Sequence, residues 1–568
     1  MTALRLWAPF ALKAAVRDAE GSRHSFSLAR EDDGWWVATR PLPERYYLVV
    51  DGVTMPDPTS RAQPSGLDGP SAQLGPFAWH DDDWRGFPLK DAVLYEIHTG
   101  TFTIDGTFDG IVERLDHLVG VGVNAIELMP VNTFPGTRGW GYDGALLYAV
   151  HEAYGGPDGL RRLVDACHGR GIAVVLDVVY NHFGPTGNHL AKLGPYFTAA
   201  HHTPWGDAVN LDQEGSAEVR QFFVENALMW IRDFHIDGLR LDAVHAFRDD
   251  SPEPFLRQIT DAVHDEAMRL GRTVWMIAES DLNDARLVDR DDPHAPGHFD
   301  AVWDDDFHHA LHATLTGERD GYYASFDQPW DDIAVAVNEV YVRPPRHEGG
   351  APAGQRDRHR FVVSVQNHDQ IGNRALGERL GRLTDQRAAE AAAALMLLSP
   401  FTPLLFMGEE WMASTPFQYF TDHRDPDIAA AVTAGRRSEF ADFSAFDTAD
   451  VPDPQDAATF ANSRLDWKEA TRLPHAAVVR WYTRLVELRR RLSDTPPITE
   501  AKFDRDLGLF TMMRGGRLSV VVNTGDRTAD LGSFPTRATV LLTNDASLRS
   551  GVRATQLGPR CTAIVNLD

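Results

Sequence analysis

The chain reads as an α/β protein: a (β/α)8 TIM barrel with an N-terminal β-sandwich and a C-terminal all-β domain. Three observations predict this. Eight short apolar runs alternate with amphipathic stretches from about residue 91 onward. The segments on either side carry strand signals with no competing helical period. Four carboxylates, Asp177, Asp242, Glu279 and Asp369, sit where apolar runs open into loops. An ionised carboxylate taken out of water must be paired, hydrogen-bonded or neutralised. Four in such positions suggest that the fold gathers them into one pocket.

Residues 1–90 hold short strand-like runs, Leu4 to Trp7, Trp35 to Ala38 and Tyr46 to Val50, separated by turn residues. A Pro-, Gly- and Ser-rich stretch, 56–76, reads as a connecting loop. Residues 91–495 carry the barrel. Its strands are expected at 92–98, 124–130, 171–179, 238–244, 273–280, 301–307, 361–369 and 403–410. These runs are near-continuously apolar, as in strands covered on both faces. Helical stretches such as IVERLDHLVGVG, GLRRLVDACHGRG, FFVENALMWIRDF and AAEAAAALMLLS lie between them. Long loops follow the third strand (181 to about 215) and the eighth (411 to about 473), and 348–360 reads as a mobile surface loop. Val478, Trp481, Leu485, Leu488 and Leu492 mark a last helix at three- and four-residue spacing. After Pro496 and Pro497, residues 496–568 return to strand signals: LGLFTMM, LSVVVN, TVLLTN and CTAIVNL.

Bulk properties narrow the function. The formal net charge of −27 repels phosphate backbones and anionic lipid, so neither nucleic acid nor membrane is an expected partner. No apolar run reaches the length of a membrane span, and the N-terminus lacks the pattern of a secretory signal. Cys167 and Cys561 read as buried thiols rather than a disulfide framework. The cytoplasm is the expected setting, and oligomeric state is left open.

In a parallel barrel the active site forms at the carboxyl ends of the strands. Arg240 precedes Asp242 by two residues, so both side chains project to the same side of the strand. The guanidinium should hold Asp242 ionised and orient it, as a nucleophile requires. Glu279 ends an apolar strand, where burial favours the protonated acid. One carboxylate kept charged and one kept neutral is the arrangement of a retaining glycosidase, whose two carboxyls stand roughly 5–5.5 Å apart. Asp369, after His368, is placed to accept from sugar hydroxyls and to stabilise a cationic transition state. Each acid alone could instead cap a helix.

DVVYNH (177–182), GLRLDAVHAF (238–247), the Glu279 strand and QNHDQIGN (366–373) resemble, in order and context, the four conserved regions of the α-amylase family of glycoside hydrolases. The resemblance spans the whole barrel. It implies Asp242 as nucleophile, Glu279 as general acid/base and Asp369 as the third acid, with Asp177, His182, Arg240 and His368 lining the −1 subsite and Tyr142 stacking there. GHFDAVWDDDFHHAL (297–311) and LLFMGEEWMASTPFQYFTDH (404–423) look like the trehalose-releasing members, which hydrolyse the α-1,4 bond next to a terminal trehalose. The implied substrates are maltooligosyltrehalose and related α-glucans; a 1,4-α-glucan branching enzyme is the alternative. Asp304, Asp305 and His308 after the sixth strand, with Trp411, Phe417, Tyr419 and Phe420 after the eighth, are expected to form a trehalose pocket. No cofactor and no metal is expected. Asn181 and His182 are similar to calcium-associated positions, but no further oxygen ligands can be traced. The tandem pairs His201–His202 and His308–His309 lack ligand geometry. His98 reads equally as a core or a site residue.

Overall fold

A computed structural model describes the chain apart from residues 1–3, 22–23, 293, 440–450, 493–498, 532–537 and 568. Eight parallel strands close into a barrel: β1 (Leu94–Ile97), β2 (Ala125–Leu128), β3 (Ala173–Val178), β4 (Gly238–Leu241), β5 (Trp275–Ala278), β6 (Ala301–Trp303), β7 (Phe361–Ser364) and β8 (Thr402–Phe406). Neighbours follow chain order and β8 pairs back onto β1. Each of the eight apolar runs meets one strand, shorter than the run; the eighth strand begins one residue before its run, at Thr402. The sixth stops at Trp303 because Asp304 caps the helix Asp305–Thr316, its carboxylate accepting from Asp306 N at 3.1 Å. Acids at a helix start satisfy orphan N–H groups and suit the helix dipole, so the DDD sequence opens a helix rather than prolonging a strand.

The outer helices range from one buried face to burial on nearly all sides, as in Gln386–Leu398, where every residue from Ala389 to Leu398 is buried. In Gly156–His168 the buried apolar residues are Leu160, Leu163, Val164 and Cys167, spaced by three, four and seven from the first. The segment expected as one helix after β1 is two, Phe108–Val112 and Leu115–Val121. The last helix before the C-terminal strands is His475–Arg490.

The N-terminal strands form two antiparallel sheets whose facing residues, among them Leu6, Val16, Trp36 and Leu48, share one apolar core. The C-terminal strands form a five-stranded antiparallel sheet ordered Thr499–Asp504, Leu509–Arg514, Leu518–Asn523, Thr562–Asn566, Thr539–Thr543. Arg514 of this sheet donates to the carbonyls of Leu398 and Ser399, at the end of the helix Gln386–Leu398. Those carbonyls have no partner within their own helix, so the contact ties sheet to barrel. Pro496 and Pro497, at the expected domain boundary, lie outside the described residues.

Three loops differ from expectation. The segment after β3 contains a hairpin, Phe197–Thr203 with Gly206–Val209. The segment after β8 contains the helices Pro426–Glu439 and Ala457–Asn462. The 348–360 segment is anchored rather than free: Ala351 N donates to Asp284, Arg356 pairs with Asp289 at 2.7 Å, and Ala353 is fully buried. Polar composition hid these anchors, because both partners come from a loop more than 60 residues earlier. Cys167 and Cys561 are both buried and unpaired. Among the described residues no helix is long and apolar enough to cross a membrane.

At the N-terminal end of the strands a charged network replaces apolar packing. His168 sits between Asp81 (Nδ1, 2.7 Å) and Asp237 (Nε2, 2.8 Å), and Asp237 also accepts from Arg272 and Trp84. Both ring nitrogens face carboxylates, so both donate. Burial pushes the Asp237 carboxyl up, but the bond from His168, its charge and Arg272 outweigh burial and leave it below the ordinary range. A depressed carboxyl stabilises the fold above its unfolded value near about 4, and that stability drains away as pH falls through the folded value. Asp237→Asn should therefore cost about 3–5 kcal/mol at neutral pH, the scale for breaking a buried pair. The difference from wild type should shrink in denaturation curves taken below about pH 4. Equal stability of the two proteins at pH 7 would refute it.

Candidate active site

The site grows from one side chain. Arg240, in the middle of β4, is fully buried. Its Nη1 donates to Asp177 Oδ2 at 2.7 Å and to Asp242 Oδ1 at 2.8 Å, while Nη2 lies 3.6 Å from Glu279 Oε2. Its guanidinium carbon stands 4.3 Å from the centre of the Trp303 ring at the end of β6. Four different strands thus meet on one cation.

The backbone explains why the acids converge. Asp242 and Glu279 each continue the parallel ladder one residue past their strands, donating N–H to Val178 O (3.1 Å) and Leu241 O (3.0 Å). Ala243 then turns through a positive φ of 41°, a conformation non-glycine residues rarely adopt. That turn points its N–H at Glu279 Oε2, 2.6 Å away. Backbone strain of this kind persists where surrounding structure imposes it, and here it holds the Glu279 carboxyl in place.

The two carboxyls live in different electrostatic settings. Asp242 accepts from Arg240 Nη1 and from Asn181 Nδ2, each at 2.8 Å. Burial drives Glu279 up; Arg240 opposes this, and the charges of Asp242, Asp369 and Asp305 add to it, leaving it at about 8. Asp177 is pushed by burial to about 6 despite Arg240. Asp305 reaches about 7 through burial and its acidic neighbours.

Asp369 is on the short helix His368–Gly372, five residues beyond the end of β7, rather than at a strand end. Its side chain is the open one of the group, at 40% exposure, and lies 3.5 Å from His368 Nε2. Tyr142 Oη donates to Asp177 Oδ2 at 2.6 Å and lies 2.7 Å from His368 Nε2, with its ring stacked on His368. His182 bonds to Asn181 and to Tyr142 O and is stacked face to face on Trp205 at 4.4 Å. Trp205 is half exposed at the tip of the hairpin after β3.

The expected trehalose-pocket residues divide. Asp305 belongs to the site, within hydrogen-bond reach of Gln370 Nε2 at 3.3 Å. Asp304 is buried and engaged as a helix cap. His308 is buried, bonded to Val365 O and Tyr323 Oη. Trp411 is fully buried against His117 and Trp467, and Phe417 and Phe420 pack around His98. Tyr419 meets the site through Trp140, its ring edge 5.1 Å from that indole. Trp411, Phe417 and Phe420 form the packing under the loop, since a loop of this length needs a core of its own. His98 is a core residue: burial lowers it to about 4, and it bonds to Thr101 and Gly139 O.

Glu96, Trp303 and Trp205 were not among the expected site residues. Glu96 bonds His368 with both oxygens. A charged residue inside the apolar run AVLYEIH was the available signal; for Trp205 none existed. Away from the converging acids, His201, Asp212 and Asp250 bring ligand atoms within 4.8 Å of one another, but His201 and Asp212 already satisfy each other at 2.8 Å.

A closed parallel barrel with carboxylates converging at its strand ends is the architecture of the α-amylase class. The family model "Alpha amylase, catalytic domain" matches residues 73–194. A pullulanase from Anoxybacillus sp. LM18-11 has the same fold, with a TM-score of 0.69 at 17% identity. The match is finer than that class. The chain is 48% identical over 541 residues to the malto-oligosyltrehalose trehalohydrolase of Arthrobacter ramosus, covering 92% of each, and 43% identical over 551 residues to that of Mycobacterium tuberculosis, covering 92% of this chain and 93% of the relative. A Salmonella typhimurium crystal structure assigned as an alpha amylase superposes with a TM-score of 0.88 at 36% identity, covering 99% and 97%. The chain belongs to the malto-oligosyltrehalose trehalohydrolase family.

A raised Glu279 sets a pH dependence. With Glu279 in the expected role of general acid, which must be protonated, kcat/KM should fall above about pH 8. Asp305→Asn removes one of the charges that raise Glu279 and should move that limb to lower pH. A pH–rate profile of both proteins checks it; an unmoved limb would count against the electrostatic account.

Proposed function

We propose that this chain is a retaining glycoside hydrolase that cleaves the α-1,4-glucosidic bond next to the terminal trehalose of maltooligosyltrehalose and releases trehalose. The observation that carries the reading is Arg240, which sits against Asp242 and Glu279 at once, in a chain nearly half identical to a named trehalohydrolase over almost its whole length. A cytoplasmic setting suits its two unpaired thiols.

In the first step Glu279, kept protonated by burial, gives its proton to the glycosidic oxygen. Asp242, oriented by Arg240 and Asn181, attacks the anomeric carbon. A covalent glycosyl-enzyme forms and trehalose departs. In the second step Glu279 takes a proton from water, the water attacks the same carbon and the Asp242 ester breaks. Two displacements leave the α configuration intact. Asp369, exposed at the mouth, grips hydroxyls of the −1 sugar. Tyr142, Asp177, His182 and His368 form the floor and wall of that subsite. In this reading Asp305 contacts the trehalose side of the substrate, while Asp304, His308 and Trp411 are buried supports rather than contacts.

Branching chemistry is the rival. A 1,4-alpha-glucan branching enzyme from Mesorhizobium japonicum matches at 35% identity over 274 residues, 42% of this chain. Incubation with maltooligosyltrehalose should yield free trehalose, with little reaction on amylose. New α-1,6 linkages from amylose would overturn the reading. Asp242→Asn should lower kcat by about 10⁴-fold or more in a protein that still folds cooperatively, with its thermal midpoint lowered by the weakened Arg240 pair. Glu279→Gln should retain turnover only on substrates whose leaving group needs no proton. Near-normal hydrolysis by either variant would remove it from its role.

A further inference from the structure

Two glutamates lie side by side in the barrel core beneath the site. Glu96 of β1 and Glu127 of β2 are register partners on adjacent parallel strands, each about 1% exposed. Strand neighbours stand about 4.8 Å apart, so the two carboxyls are crowded in a dry interior. They are bonded very differently. Glu96 uses both oxygens on His368, Oε2 accepting from the backbone N at 2.9 Å and Oε1 from ring Nδ1. Among the described residues neither oxygen of Glu127 has a hydrogen-bond partner.

Hydrogen-bond direction in this cluster is set by proton count. Tyr142 has one hydroxyl proton and faces two groups, Asp177 Oδ2 and His368 Nε2. Asp177 Oδ2 already accepts from Arg240 Nη1, so toward Tyr142 the same oxygen serves as an acceptor and takes the hydroxyl proton. Tyr142 then accepts from His368 Nε2–H, while His368 Nδ1–H donates to Glu96. The ring thus carries both protons. The chain runs unbroken: His368 donates to Glu96 and to Tyr142, Tyr142 to Asp177, and Arg240 to Asp177 and Asp242. A neutral His368 accepting at Nε2 would capture the Tyr142 proton and strip Asp177 of it. Arg240 would then be drawn toward Asp177 and away from Asp242.

The groups facing Glu127 are Glu96 from β1, Asp177 from β3, Arg240 from β4 and His368 from the segment after β7. The two cations among them are already engaged by Asp177, Asp242 and Glu96. A further unpaired buried anion would cost several kcal/mol. Resting on the catalytic reading above, we propose that Glu96 is a positioning residue for the reaction. Its carboxylate, beside Glu127 held as a neutral acid, keeps His368 a double donor and thereby aims Tyr142, Asp177 and Arg240 at Asp242. The titration behaviour agrees. Burial lowers His368, but Asp369 and Glu96 outweigh it and bring it to about 9; burial, then Glu96, drives Glu127 well above the ordinary range.

The infrared difference between wild type and Glu127→Gln, taken near neutral pH without substrate, should contain a carboxylic-acid C=O stretch. Its absence would overturn the neutral-acid half. Glu96→Gln should lower kcat about 10- to 100-fold with KM within about twofold. The loss should shrink as pH falls, because acid restores the His368 proton that Glu96 had secured. Glu96→Asp should recover part of the activity. A pH-independent loss, or kcat within about twofold of wild type, would leave Glu96 a merely structural residue. Should Glu96→Gln fail to fold, the same pH test applies to Glu96→Asp, whose shorter side chain loosens its hold on His368. The infrared measurement needs no turnover, so a failed catalytic reading and a failed charge assignment give different results.

Discussion

A single buried guanidinium is the constraint on which the rest of the molecule depends. A fully enclosed arginine is tolerated only where fixed anions surround it, because a charge withdrawn from water must recover its hydration energy from neighbours. Arg240 recovers it from Asp177, Asp242 and, more distantly, Glu279, and from the face of Trp303. Those residues come from β3, β4, β5 and β6 and their ends, so the barrel must close with the right register for the charge to be satisfied. The requirement also runs the other way. Removing any one anion leaves the cation partly unpaired, so the residues proposed for chemistry also bear on stability.

Bonding and charged surroundings, rather than residue type or exposure, separate the proposed roles of the acids. Asp242 and Glu279 have the same functional group and similar exposure, and each touches Arg240. What differs is the number and direction of bonds. Asp242 takes two close side-chain donors; Glu279 takes a backbone N–H and stands among other carboxylates. Crowding like charges in a low-dielectric pocket is the means by which one of a set keeps its proton. The same physics appears one layer deeper, where Glu96 is fully bonded and Glu127 is not.

The loops at the strand ends do two jobs. The hairpin after β3 presents Trp205 to His182 and forms one wall. The segment after β8 turns most of its aromatic residues inward, where they support Trp140 and His98. An aromatic residue in a long loop therefore has two outlets, a ligand or a private core, and composition does not distinguish them.

Much was legible in the amino-acid order alone. Eight apolar runs of strand length, separated by amphipathic segments, are enough to announce a parallel barrel, because strands covered on both faces cannot tolerate regular polar alternation. Acids at the ends of those runs mark the reactive rim for the same reason. Asp242 and Arg240 could be paired from spacing, since both lie on one strand. Glu96 and Glu127 could be noticed as charges inside apolar runs, but His368, which Glu96 bonds, lies more than 200 residues away. Which aromatic residues face solvent, where Asp369 sits relative to its strand, and how one proton is shared among Tyr142, His368 and Asp177 belong to the tertiary structure. These depend on distances between segments that only chain closure brings together, and pairwise electrostatics falls off too steeply to be read from sequence separation.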